Sequence, residues 1–309
     1  MARRLDRLPG VVLISVAAAM WGLDALIRKP LSASTSPYTI VFGEHVVLVA
    51  LTVTLLVPAF RALFRAGGRY VAAGIFVGAG ASAIATILFT KALFHGDFIT
   101  VVVLQKVQPL VAVLGAWLVL REQPRQGFIW FLLPALAGIW LIALPQPLDP
   151  HAYGLVPIAE TLAAAVLWGL GTVFGRYLGR RLEFEHVATV RFGFGLIASA
   201  CALPIVGAAA FSNAHDSFWI AVLALVTGLF ALSLYYYGLR RTPALLSAIG
   251  ELAFPVTAAL IGIYVFDSSL RWTQWVGVAI TVIVIGLLPV RRRDLVRVQP
   301  REAAVAGAT

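Results

Sequence analysis

Ten apolar segments follow one another along the chain, and each is about as long as the roughly 20 residues that a helix needs to cross a bilayer. They cover residues 9–28, 37–60, 70–94, 98–120, 126–144, 154–178, 185–206, 218–239, 244–266 and 272–290. The connections between them are too short for a water-soluble domain. Because a backbone in lipid must satisfy its own hydrogen bonds, the pattern predicts an all-α, polytopic membrane protein with ten transmembrane helices.

Composition supports this class of protein. Hydrophobic residues make up 61% of the 309 residues and charged ones only 12%, so a water-exposed surface could not be covered. The net charge of +10 lies mostly between the apolar segments, which indicates the bilayer as a partner and no nucleic acid. Cys201 is the single cysteine, which excludes an intramolecular disulfide and a multi-cysteine metal site.

An internal repeat divides the chain into two halves. Residues 17–23 return as 164–170, a shift of 147 positions. The first segment also resembles a secretory signal, since arginines precede an apolar stretch, but a removable leader would not be half of a duplication. We therefore predict five-helix repeats at residues 1–148 and 149–293, followed by a disordered cytoplasmic tail at 294–309.

Basic residues predict the topology. Eighteen of them fall on one side of the membrane if the N-terminus is cytoplasmic, and three, namely Arg28, Lys29 and Arg271, fall on the other. Both termini are then in the cytoplasm, as in a multi-pass protein of the bacterial inner membrane. Since five helices is an odd number, the second repeat is inverted relative to the first, which suits alternating access to one central site.

A proline interrupts the same helix in each half. Pro109 follows Gln105 by four residues, as Pro255 follows Glu251, at close to the repeat offset. Proline removes a backbone donor and clashes with the carbonyl four residues back. We predict hinges at both prolines, with the carbonyls of Gln105 and Glu251 facing a substrate cavity.

Polar groups inside apolar segments are candidates for substrate binding, because they are costly in hydrocarbon. Lys106 either contacts substrate directly or forms a structural ion pair with Glu44 or Glu160. Lys91 is expected to extend towards the interface. Arg191 and Glu251 form either a gate or a fixed ion pair.

Glu44 and His45 are neighbours and suggest either a proton relay or a metal site. Four coordinating groups cannot be named, so a metal is disfavoured and no cofactor is expected. Trp21 and Trp168 occupy equivalent places in the two halves and either line a pocket or pack against the glycine that follows each. One of the three consecutive tyrosines is expected to face the centre, and Tyr236 is our choice.

The two Trp-Gly pairs, Arg191, Pro109 and Pro255 together resemble the drug/metabolite transporter superfamily of the EamA type. The Leu-Arg-Glu ending at residues 120–122 resembles the acidic helix end of that family. The resemblance covers nearly the whole chain, and within the superfamily it is strongest to bacterial aromatic amino acid exporters. It implies outward transport of amino acids through a central cavity.

The predicted function is thus a secondary transporter that exports amino acids of broad side-chain range, working as a monomer. The alternative is an exporter of another small metabolite or drug. A membrane enzyme is disfavoured, because no nucleophile and base can be paired. The predicted substrate-binding residues are Trp21, Glu44, His45, Gln105, Lys106, Gln108, Trp168, Arg191, Tyr236 and Glu251.

Overall fold

Apolar helices account one for one for the ten predicted segments. Within the part of the chain that the structure describes, five helical stretches are long and apolar enough to cross a membrane: Gly10–Ala33, Gly68–His95, Leu155–Leu178, Phe184–Val206 and Ala214–Leu239. A sixth is the bent pair Pro37–Leu51 and Val53–Ala66. Shorter apolar helices correspond to the other four: Gln108–Leu120, Ile129–Gly138, Ala244–Thr257 and Trp272–Leu287. The all-α, polytopic fold is confirmed.

The computed structural model describes residues 8–28, 30–96, 101, 105–124, 126–143, 155–257, 260 and 271–297. Several predictions concern residues outside these ranges: the three N-terminal arginines, Lys29, the helix ends near 98 and 266, the repeat boundary at 148 and the tail from 298 onward. The side chain of Lys106 also lies outside the described part.

The helices are numbered here in chain order. They are α1 (Gly10–Trp21), α2 (Asp24–Arg28), α3 (Pro37–Leu51), α4 (Val53–Ala66), α5 (Gly68–His95), α6 (Gln108–Leu120), α7 (Ile129–Ala143), α8 (Leu155–Leu178), α9 (Phe184–Val206), α10 (Ala214–Leu239), α11 (Ala244–Gly250) and α12 (Trp272–Leu295). Two-residue strands β1 (Gln123–Pro124) and β2 (Val296–Arg297) pair antiparallel. Residues 294–297, which the sequence analysis placed in the tail, belong to α12 and β2.

The second predicted span is bent, which the sequence did not indicate. Helices α3 and α4 meet at Thr52 with an angle of 90°. Thr52 bonds its hydroxyl back to the carbonyl of Leu48 at 2.7 Å, a contact that often accompanies helix bending. Helix α4 buries Ala59 and Leu63 and exposes Val57 and other apolar side chains, as an amphipathic helix at an interface does.

The proline-containing helices are broken where the sequence predicts, but the carbonyl of Glu251 is not free. A 3-10 turn, Gln105–Val107, precedes α6, so Pro109 lies in the first turn of a helix, where proline is well tolerated. In the second half the chain turns at Glu251, and the carbonyl of Glu251 accepts from the amide of Phe254 at 3.2 Å. The turn itself therefore satisfies this carbonyl, and the hinge role of Pro109 and Pro255 stays a prediction.

Each Trp-Gly pair brings its helix close to the broken helix of the opposite half. A Cβ at Gly22 would lie 2.7 Å from Thr257, and one at Gly169 would lie 2.8 Å from the carbonyl of Gln108. Glycine is required at both places, because real Cβ atoms do not approach so closely. The two contacts are equivalent under the repeat, so the halves interlock around the two breaks.

The end of one broken helix also caps the start of the other. Glu122 is buried, and its carboxylate accepts from the backbone amide of Leu245 at 3.3 Å, in the first turn of α11. A carboxylate is favourable there, because the first amides of a helix lack partners within the helix. The acidic ending of residues 120–122 thus links the halves structurally.

Candidate transport site

A cavity of about 190 Å³ lies between the halves. Eight of the ten predicted site residues line it, together with Pro109: Trp21, Glu44, His45, Gln105, Gln108, Trp168, Arg191 and Glu251. Both repeats contribute, as expected for a binding site at a repeat interface. Of the other two, Tyr236 is not a lining residue, and the side chain of Lys106 lies outside the described part. The second predicted hinge, Pro255, is not a lining residue either.

The breaks in the two proline-containing helices place Gln108 and Glu251 at the cavity. Nε2 of Gln108 donates to Oε2 of Glu251 at 2.5 Å. The other oxygen, Oε1, accepts from the hydroxyl of Tyr235 at 2.7 Å and from that of Thr172 at 3.1 Å. Donors from three further segments thus hold this carboxylate, so its position is fixed before any solute arrives.

Arg191 does not pair with Glu251, contrary to one prediction. Its Nε donates to the hydroxyl of Ser82 at 3.1 Å, its second terminal nitrogen donates to the carbonyl of Ala81 at 3.0 Å, and its first donates to the hydroxyl of Tyr236 at 3.2 Å. These bonds link α9 to α5 and α10. Tyr236 therefore accepts a hydrogen bond from Arg191 without lining the cavity. Its neighbour Tyr235 is the tyrosine that lines the cavity.

His45 belongs to the same hydrogen-bond chain. Its Nδ1 lies 2.7 Å from the carbonyl of Val41, which can only accept, so Nδ1 carries a proton. Its Nε2 lies 3.0 Å from the hydroxyl of Ser82. With Arg191 donating to the Ser82 oxygen, that hydroxyl is free to donate to Nε2, which favours neutral His45. His45 is thus linked to Arg191 through Ser82, and a relay between Glu44 and His45 stays a prediction.

Glu44 pairs with Arg28, which the sequence had assigned to an outer loop. Arg28 is buried at the end of α2, and its guanidinium bonds both Asp24 and Glu44, at 2.6 and 2.9 Å. Glu160 pairs instead with Lys91 at 2.5 Å. Both carboxylates thus have a partner other than Lys106, whose predicted role stays a prediction. Lys91 forms an ion pair where only an extension to the interface was predicted.

Aromatic side chains form the walls of the cavity. Nε1 of Trp21 donates to the carbonyl of Thr227 at 2.9 Å, and its ring centroid lies 5.1 Å from that of Tyr235. Trp168 packs edge-on against Phe89, with centroids 5.1 Å apart. Since the Trp21 N–H is satisfied by backbone, the indole offers its ring rather than its donor to the cavity.

Glycine makes room for His45. A Cβ at Gly195 would overlap the Nε2 end of the His45 ring. Glycines at 74, 78, 171 and 175 also lie where helices touch; a Cβ at Gly171, for example, would be 2.5 Å from that of Ala81. Among the described residues, no three His, Cys, Asp or Glu side chains are grouped to hold a metal ion.

The sequence profile of the EamA-like transporter family matches the chain twice, over residues 8–144 and 157–289. The chain belongs to the EamA-like transporter family. It is therefore an integral membrane protein of a transporter family, built from two repeats around the cavity described above.

Relatives within this family carry names that specify different solutes. The riboflavin transporter ImpX of Fusobacterium nucleatum subsp. nucleatum is 25% identical over 297 residues, covering 90% of this chain and 96% of the relative. An uncharacterized transporter of Bacillus subtilis, YwfM, is 24% identical over 96% of both chains. An S-adenosylmethionine uptake transporter of Rickettsia prowazekii is 26% identical over 115 residues, which is 37% of this chain and 38% of that relative.

A solved crystal structure shares the fold, with a TM-score of 0.71 over 92% of this chain and 98% of the other. The two sequences are 18% identical, so this likeness concerns the fold alone. The relatives support a small-molecule transporter of the EamA family and do not single out amino acids, so amino acid export stays a prediction.

Several residues of the cavity escaped the sequence reasoning. Asp24 and Arg28 stand four apart, a helical ion-pair spacing that was available as a signal. Tyr235 could not be chosen over its neighbours, since three consecutive residues point in three directions. Ser82 and Thr172 carry no pattern that separates them from ordinary helix hydroxyls.

Proposed function

We propose that this EamA-family protein is a secondary transporter for a planar heteroaromatic metabolite with hydrogen-bonding edges, of the flavin kind. The observation that carries the proposal is the composition of the cavity. Aromatic side chains from both halves line it, namely Trp21, Phe89, Trp168, Tyr235 and Phe254. Such walls suit a flat ring system, because stacked aromatic faces add attraction beyond apolar burial.

Polar groups of the cavity are suited to the edges of such a ring. Glu251 accepts hydrogen bonds, while the side-chain amides of Gln105 and Gln108 both donate and accept. A flavin ring presents one N–H donor between two carbonyl acceptors along one edge. The name of the Fusobacterium relative, which matches nearly the full length of this chain, supports the same chemistry.

Amino acid export is the second candidate. It is favoured by charges of both signs at the cavity, since Arg191 could attract an α-carboxylate and Glu251 an α-amino group. In this version the indole of Trp168 would contact the side chain of the amino acid. Bulky aromatic amino acids would then be preferred over small ones.

The basic residues also support an orientation in the bacterial inner membrane. Most of the basic residues, including Arg61, Arg65 and Arg69, fall on the side of the membrane that also holds both termini. Because loops rich in Lys and Arg face the cytoplasm, we infer that both termini do so as well. We also propose that the transporter works as a monomer.

The decisive experiment is counterflow into proteoliposomes. Vesicles with the purified protein are loaded with unlabelled riboflavin, and entry of labelled riboflavin is followed against protein-free vesicles. We expect exchange that excess unlabelled riboflavin suppresses. Parallel vesicles loaded with S-adenosylmethionine, tryptophan or alanine test the other solutes. Exchange of tryptophan without exchange of riboflavin would replace the flavin proposal by the amino acid one.

A further inference from the structure

Arg28 uses every N–H of its guanidinium within the protein. Nε and one terminal nitrogen donate to the two oxygens of Asp24, at 2.6 and 2.9 Å. The terminal nitrogens also donate to the two oxygens of Glu44, at 2.9 and 3.2 Å, and to the hydroxyl of Thr90 at 3.1 Å. Five bonds match the five N–H groups of arginine. Arg28 therefore has nothing left to offer a solute.

The three charged groups are unbalanced. Two carboxylates face one guanidinium, while the side chains of Arg28, Glu44 and Asp24 are only 3%, 9% and 17% exposed. A buried ion pair is tolerable when its charges cancel, and an excess charge away from water is costly. Lys91 and Glu160 provide the contrast, since they form a one-to-one pair in the same bundle.

Charged groups on the surrounding helices are engaged elsewhere. The helices that pack against α2 and α3 carry Lys91 on α5, Arg191 on α9 and Asp216 on α10, and His45 lies on α3 itself. Each has its own partners: His45 contacts Val41 and Ser82, Arg191 contacts Ser82, Ala81 and Tyr236, Lys91 contacts Glu160, and Asp216 accepts from Ser34, Thr35, Ser212 and Asn213. Among the described side chains, none of these contacts brings a second positive charge to Asp24 or Glu44.

We propose that Asp24, Arg28 and Glu44 form a proton-binding triad that couples proton movement to solute movement; the coupling rests on the proposed transport function. A proton from water adds to Oε2 of Glu44, which becomes a neutral carboxylic acid. The bond from Arg28 to that oxygen breaks, while Arg28 keeps Asp24 and Thr90. Release of the proton to water on the opposite side restores the carboxylate and the bond.

Protonation changes both the helix contacts and the cavity. Arg28 lies on α2, Glu44 on α3 and Thr90 on α5, so the intact triad ties three helices of the first half together. Loss of one bond loosens α2 from α3, the kind of step that alternating access requires. It also frees an N–H at the cavity wall for a carbonyl or carboxylate of the solute. Proton and solute therefore bind better together than apart.

The test uses full-length protein in proteoliposomes with riboflavin as the probe. If one proton moves with each riboflavin, a gradient of about one pH unit should accumulate riboflavin about tenfold. The same ratio is expected when the pH gradient is reversed. Asp24→Asn and Glu44→Gln each leave Arg28 with a single carboxylate, so the charges balance and no proton is needed. The accumulation ratio of riboflavin should therefore fall to about one. Glu160→Gln alters a buried carboxylate outside the triad and should keep the full ratio.

Proton binding can also be measured without any solute. Infrared difference spectra between alkaline and mildly acidic pH, where exposed carboxylates stay ionised, should show a carboxylic acid band in the wild type and in Glu160→Gln, and both triad variants should lack it. A wild-type spectrum equal to those of the triad variants overturns the proton site. A band without riboflavin counterflow refutes the flavin substrate and leaves the proton site standing.

Two further outcomes separate coupling from transport. Counterflow that is unaffected by the pH gradient refutes coupling and leaves the transport function intact. Accumulation that follows a sodium gradient instead of a pH gradient overturns the proton as the coupling ion. Because the two triad variants are nearly isosteric changes at different helices, poor folding of one leaves the other as the test.

Discussion

Gln108 and Glu251 join the broken helices of the two halves through a hydrogen bond of 2.5 Å. The two residues stand at the points where α6 begins and α11 ends, so the bond crosses the repeat interface at the cavity. Movement of one half against the other must lengthen this contact. The bond is therefore a structural link and a part of the site at once.

We expect Gln108→Ala to weaken the link and the site together. Loss of a hydrogen bond to a charged group costs about 1.5–3 kcal/mol, which should lower the thermal unfolding temperature of the detergent-solubilised protein. Riboflavin counterflow should fall as well. Leu110→Ala, at an exposed position two residues along the same helix, should change neither measurement much. Equal losses in the two variants would refute the bond's role.

Gly195→Ala should displace His45 without removing any polar group. The added methyl would overlap the imidazole, so the ring must leave Ser82, and Arg191 loses an ordered partner. We expect counterflow to drop at least tenfold with normal membrane expression. Gly68→Ala is the matched control, because nothing lies within 4 Å of a Cβ there. Wild-type transport in Gly195→Ala would show that His45 has no part in transport.

Trp168→Ala should reduce the affinity for a flat solute. The indole packs on Phe89 at the cavity, and its removal takes away a wall for stacking. Half-saturation for riboflavin should rise by roughly tenfold, in line with the 0.5–1.5 kcal/mol of an aromatic pair plus lost burial. Trp130→Ala removes an indole that is 75% exposed on the outside of the bundle and should leave half-saturation unchanged. If Trp168→Ala and Trp130→Ala give the same half-saturation for riboflavin, Trp168 does not form a wall of the binding site.

Cysteine labelling should establish the orientation. In a Cys201→Ser background, needed because Cys201 is exposed, Arg65→Cys should react with an impermeant maleimide only in inverted vesicles. Ala209→Cys, in the connection on the opposite side, should react in intact cells. Both positions are exposed, so access decides the outcome. The reverse pattern would mean that the termini face outward.

The fold was predictable because the bilayer imposes it on the sequence. Apolar length defined all ten segments, and the offset between Pro109 and Pro255 located both breaks. Buried polar partners were less predictable, because a pairing depends on helix rotation, which apolar composition does not specify. Thus Glu251 was expected to pair with Arg191, yet its carboxylate accepts from Gln108, Thr172 and Tyr235.

The right-angled turn at Thr52 affects how the protein sits among lipids. Helix α3 has 15 residues, so it rises only about 22 Å, against a hydrocarbon core of about 30 Å. The chain then runs sideways along α4, whose apolar side chains Val57 and Phe64 are more than half exposed. Acyl chains beside α3 must shorten or tilt to match it, a case of hydrophobic mismatch. Bilayer thickness thus acts on this flank of the transporter directly.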